Sequence, residues 1–81
     1  MITADQIRAA RALLRWSAQK LADESGISWR TIQRLESVVG VPSANSLTLL
    51  RIQETLEAAG IVFIEENGGG PGLRLKDRMA K

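Results

Sequence analysis

Two short helical patterns separated by only three residues constrain this chain more than any other feature. Between Ser17 and Glu36, Leu21 and Ala22 belong to one pattern and Ile32 and Leu35 to the next, with Gly26-Ile27-Ser28 between them. Ser17 and Ser28 are each placed to cap a helix, because a hydroxyl accepts from the unpaired N–H groups of a first turn. Gly26 suits the position just past a helix end, where a positive φ is needed. So short a connection makes the two helices cross at a steep angle. Close approach then requires a small residue in the first helix, which Ala22 supplies. It also requires a β-branched plug from the second, which Ile32 supplies, with Ile27 as an apolar plug at the turn.

The rest of the chain organises around this unit. Thr3 and Gln6 form a capping-box pattern, and Ile7, Ala10 and Leu14 then share one face, with Leu13 beside it. Trp16, between the first two helices, reads as a core anchor. Val38 to Ala44 contains Gly40 and Pro42 and reads as a loop. Asn45 or Ser46 caps a fourth helix, in which Leu49, Ile52, Leu56 and Ala59 keep a helical rhythm until Gly60 stops it. Ile61-Val62-Phe63-Ile64 is β-branched and aromatic, hence strand-like. Asn67 to Gly72 is a turn, and Leu73 to Lys76 alternates as a second strand would. The expected fold is mainly α. Residues 1–60 form one domain, with helices near 3–14, 18–25, 29–37 and 46–59. A β-hairpin over 61–76 and a flexible polar tail over 77–81 follow.

Composition removes several function classes. With 81 residues and 44% apolar content, one domain with a small core is expected, and dimerisation would add buried surface. No apolar run reaches the roughly 18 residues of a membrane span, and no signal-peptide pattern opens the chain. A cytoplasmic, nucleoid-associated protein is expected. Cys and His are both absent, which removes thiol chemistry and leaves no plausible zinc site; no cofactor or metal is expected. The glycines near residue 70 lack a following Lys-Ser or Lys-Thr and a helix to open, so they do not make a phosphate loop. Acid–base catalysis would fall to carboxylates. The adjacent pair Glu65-Glu66, at a strand end, is expected to point to opposite sides, and no enzyme is expected.

Charge is unevenly spread. Residues 1–34 carry six Lys/Arg against three Asp/Glu, residues 35–73 carry one against five, and residues 74–81 carry four against one. A polyanion would meet the first half or the tail. The acidic middle, with the fourth helix and the 61–64 strand, suits a protein partner instead.

The segment from Ser17 to Glu36, with Ala22, Gly26 and Ile32 at their spacings, resembles the Xre/Cro, or lambda-repressor-like, helix-turn-helix family. The resemblance covers roughly residues 3–59. It implies a four-helix DNA-binding domain and a bacterial or phage transcriptional regulator, whose third helix reads the major groove. It also implies an ion pair between Arg11 in the first helix and Glu36 at the end of the third. The sequence departs from the family pattern in two places. Arg15 stands where the family commonly has Gly, so a positive φ there would strain it. Ala18 stands where the family often has a phosphate-contacting Gln, with Gln19 beside it.

The candidate site follows from the face that Ile32 and Leu35 leave outside. Trp29, Arg30, Gln33 and Arg34 are the expected base-contacting residues. Arg can grip guanine O6 and N7 bidentately, Gln can pair with adenine, and Trp can pack on thymine methyls. Ser17, Gln19, Ser28, Thr31 and Arg15 are expected at phosphates, and Arg8, Arg15 and Lys20 can steer DNA by charge. The expected partners are double-stranded DNA with a palindromic operator and a second copy of the chain. Ile61, Val62, Phe63 and Ile64 are expected at the dimer interface, because a strand of four apolar residues needs cover on both faces. An alternative on the same fold is an antitoxin or antiactivator that binds another protein.

Overall fold

The computed structural model describes residues 1–76; the tail expected over 77–81 lies outside the described residues. Four helices precede a two-stranded antiparallel hairpin: α1 Ala4–Leu14, α2 Ala18–Ser25, α3 Trp29–Glu36, α4 Ser46–Ala58, β1 Ile61–Ile64 and β2 Gly72–Leu75. The class is therefore mainly α, with each helix start fixed by a side chain. Thr3 and Gln6 close a reciprocal capping box at α1. Ser17 accepts from the Lys20 N–H and Ser28 from the Thr31 N–H. Of the two residues offered for α4, Asn45 is the cap, its side chain accepting from the Leu47 N–H at 2.7 Å. Such caps each contribute about 1 kcal/mol.

Ile7, Leu21, Ile32, Leu35, Ile52 and Leu56 are fully buried and draw on all four helices. Burying each contributes about 1.5–3 kcal/mol. Ala22 is buried where α2 meets α3, and Gly26 closes α2 with φ 75° and an N–H bond to the Ala22 carbonyl. A Cβ at Gly26 would meet nothing closer than an Arg51 guanidinium nitrogen at 3.7 Å. The positive φ, and not crowding, is what selects glycine there.

Trp16 is only half-buried. It packs on the edge of the core with Lys20 Nζ 5.7 Å from its ring centroid, so the chain's core is anchored by aliphatic side chains. The hairpin pairs Ile61 with Leu75, Val62 with Arg74, Phe63 with Leu73 and Ile64 with Gly72. Its second strand thus begins at Gly72, which the sequence had placed in the turn. β2 packs on α1 and β1 on α4, while α3 packs on α1 and α2.

The turn region holds one unexpected tie. Gln6 is buried; its side-chain oxygen accepts from the Thr3 N–H, and its amide donates to the Gly72 carbonyl at 2.9 Å. The capping residue of the first helix thereby fastens the start of the last strand. The loop after α3 is pinned in turn by the Ala4 N–H, which donates to the Gly40 carbonyl at 2.9 Å. Among the described residues, no helix is long and apolar enough to cross a membrane.

Candidate nucleic-acid interface

α3 is held to the body of the protein from its C-terminal end. Arg11 donates from Nε to Glu36 Oε2 at 2.8 Å and from Nη2 to Oε1 at 2.7 Å, and its Nη1 donates to the Trp16 carbonyl at 2.9 Å. Glu36 is 7% exposed. The side-chain hydrogen bond to Glu36 and its charge raise the Arg11 pKa against the opposing effect of burial, so the guanidinium stays charged at any working pH. The two residues meet as the resemblance implied. Arg8 joins them, donating to the Glu36 carbonyl and to the Asp5 carboxylate. A cation over the last carbonyls of a helix opposes the negative end of its dipole. Arg8 was expected to steer DNA, but these two acceptors make it a structural clamp.

With Ile32 and Leu35 buried, the outer face of α3 is formed by Trp29, Arg30, Gln33 and Arg34, all exposed. Trp29 is 48% exposed, although an indole of that size would bury well. Glu36 is the only carboxylate on α3, and it is turned inward onto Arg11. The outer face therefore carries two arginines, an amide donor and acceptor, and an indole, with no acidic side chain of its own. Arg34 reaches the Ser43 carbonyl in a long 3.3 Å hydrogen bond, weak enough to exchange for another acceptor.

The residues expected at phosphates are placed in different states. Ser17 and Ser28 are exposed caps. Their oxygens accept backbone N–H groups, and the Ser28 hydroxyl donates to Thr31 Oγ1 at 2.9 Å. Thr31 is half-buried. Gln19 donates to the Asp23 carboxylate one turn on, at 2.9 Å. Lys20 pairs with Glu24 at 3.0 Å. Arg15 is exposed, with φ 59° and ψ 39°, the left-handed conformation that the sequence flagged as a strain. Its N–H closes α1 onto the Ala12 carbonyl.

The four residues expected at a dimer interface divide between two faces. Ile61 is 2% exposed and Phe63 packs on the core. Alternation turns both inward, so Ile61 is already covered within one chain and is not available to a partner. Val62 and Ile64 form the outer face, Val62 half-buried and Ile64 exposed.

Sequence reasoning missed the structural roles of Gln6 and Arg8. Gln6 shows a local signal, its place in the capping box, but its second partner lies 66 residues away. Arg8 lies one turn ahead of Arg11 on the same helix, the one hint that both reach the same end of α3. A scan against protein-family models matches none of them, and a search of curated proteins finds no match.

Proposed function

We propose that the chain is a sequence-specific DNA-binding regulator with a lambda-repressor-like helix-turn-helix of the Xre/Cro class. Its α3 enters the major groove, and two copies bind a palindromic operator. The observation that carries the reading is the outer face of α3. Trp29, Arg30, Gln33 and Arg34 project from a short capped helix whose single carboxylate is sequestered by Arg11. Arg and Gln are the side chains that read guanine and adenine edges. Uniform positive charge on that face favours a polyanion. Exposed hydroxyls at Ser17 and Ser28, beside the positive ends of α2 and α3, suit phosphate contact.

Selection of bound sequences from a random duplex pool tests the reading and supplies the operator. A recurrent, two-fold symmetric motif is the expected result. Failure to enrich any motif at low salt would overturn it.

In this reading the two copies join through the hairpin. Val62 and Ile64 leave an apolar strip on the outer face of β1, and a two-stranded sheet has open edges that favour pairing. Two-fold pairing of such strips would set two α3 helices on one side of the assembly.

A further inference from the structure

A groove on a different part of the surface from α3 has the chemistry of a protein-docking site. It lies where the N-terminal turn, the loop after α3, the last turns of α4 and the far end of the hairpin meet. Val41 and Phe63 give it an apolar floor, Ile64 borders it where it adjoins the outer strip of β1, and Glu57, Glu65 and Glu66 line it with carboxylates. A second shallow groove shares Thr3, Gln6 and Pro71 with it and extends the apolar surface to Val39 and Leu73. Val39 is 97% exposed and Val41 50%. Apolar surface of this kind marks interaction sites where it is contiguous and rimmed by polar groups.

The first groove's charged side chains are of one sign, with the Met1 ammonium as a cation at its edge. No Lys or Arg side chain among the described residues lines either groove. The one other carboxylate there, Asp5, is neutralised by Arg8. Glu57 is held in place by the Gln53 amide at 3.1 Å. Glu65 and Glu66 were expected to diverge as strand neighbours, yet both line this groove, because β1 ends at Ile64 and strand alternation no longer applies. The walls are fixed: Gln6 ties α1 to Gly72, and the Ala4 N–H ties the loop through Gly40. A partner would therefore meet a preformed surface, at little ordering cost.

We propose that this groove docks a segment of another protein in which Lys or Arg residues flank apolar anchors. The apolar floor takes the anchors, and the three carboxylates take the cations. A second copy of the chain is the poorer occupant. A two-fold contact would bring the carboxylates of one copy against those of the other, and like charges across an interface are costly. The other acidic groove, between α2 and α4 beside Trp16, is a weaker candidate. Arg51 lines it, and its Glu24 is already paired with Lys20.

The test is a titration of the isotope-labelled full chain, followed by amide NMR shifts, with a short synthetic peptide of alternating Lys and Leu. Alternating Glu–Leu and Lys–Ser peptides serve as controls. The Lys–Leu peptide should move the amides of Val41, Glu57, Ile64 and Glu65 and leave those of Arg30 and Gln33 in place. The chain as a whole is cationic, at +2, so net charge alone would repel the peptide. Replacing Glu57, Glu65 and Glu66 together by Gln should weaken binding by about tenfold or more with an unchanged melting temperature. Val41→Ser should weaken it while leaving the carboxylates intact. The proposal is overturned by equal binding of the Lys–Ser peptide, by shifts centred on Trp16 and Glu54, or by a triple variant that binds as tightly as the parent. It is also overturned if the triple variant changes the sedimenting mass of the chain alone, which would make the groove a contact between copies.

Discussion

Glu36 ties α3 to α1 through both its side chain and its backbone. Its carboxylate receives two hydrogen bonds from Arg11, and its backbone carbonyl receives Arg8. Removing the carboxylate leaves the Arg11 guanidinium largely enclosed without its counter-charge, a change that costs about 3–5 kcal/mol. Glu36→Ala should therefore lower the urea midpoint severely, and Arg11→Met with Glu36→Leu should recover part of the loss. A double variant whose loss equals the sum of the two single losses would show that the pair is not coupled. Arg15 makes the opposite case. Its φ of 59° is a conformation that costs an L-residue about 1–2 kcal/mol, partly offset in glycine by extra unfolded-state entropy. Arg15→Gly should stabilise the fold by up to about 1 kcal/mol in a denaturant titration. A loss of stability would mean that the arginine side chain contributes more than the backbone strain costs. If Arg15 also meets a phosphate, the same variant should bind DNA more weakly and with a shallower salt dependence.

At the scale of elements, α2, the turn and α3 work as one device, and Gly26 is where it can be broken without touching either helix. Gly26→Ala adds no clash, since the nearest atom is 3.7 Å away. It still forces a Cβ into φ 75° and should cost about 1–2 kcal/mol, seen as a lower melting temperature. The outer face of α3 can be changed with the opposite signature. Arg30→Ala should leave the melting temperature within a degree or two of the parent, because the side chain is exposed, and should weaken operator binding by about 1–3 kcal/mol. Loss of affinity with no change in fold would separate recognition from stability. Unchanged affinity would remove this face as the reader.

This unit was legible because its rules are local: caps, a turn glycine and helical spacing all act within a few residues. Helix bounds accordingly fall within a residue or so of the expectation. The hairpin was less so. Whether Ile61 and Phe63 or Val62 and Ile64 face inward depends on how β1 meets α4, a contact with no local signature. Trp16 was overestimated as a core residue for the same reason, since an aromatic between two helices can sit at the rim as readily as inside. Glu65 and Glu66 depended on where β1 stops, and strand ends are set by pairing with a segment that begins at Gly72.

For the whole molecule, the proposed function requires a domain of about 32 × 31 × 19 Å to present two α3 helices to one duplex. Successive major grooves on one side of DNA are roughly 34 Å apart, close to the breadth of a single chain. Two chains abutting through an end remote from α3 can span that distance, and the hairpin qualifies, since it packs on α1 and α4 while α3 packs on α1 and α2. The outer strip of Val62 and Ile64 is small, so the dimer should be modest in affinity and strengthened by DNA. Sedimentation equilibrium of the parent at high micromolar concentration should give twice the chain mass. Val62→Lys with Ile64→Lys should give the single mass with little change in melting temperature, because neither side chain is in the core. The same variant should lose binding to a two-half-site operator far more than to one half-site. A monomeric parent would move the dimer contact off the hairpin or make it wholly DNA-dependent. A lysine variant that still dimerises would leave the open strand edge, whose backbone groups the substitutions do not remove, as the place where the copies join.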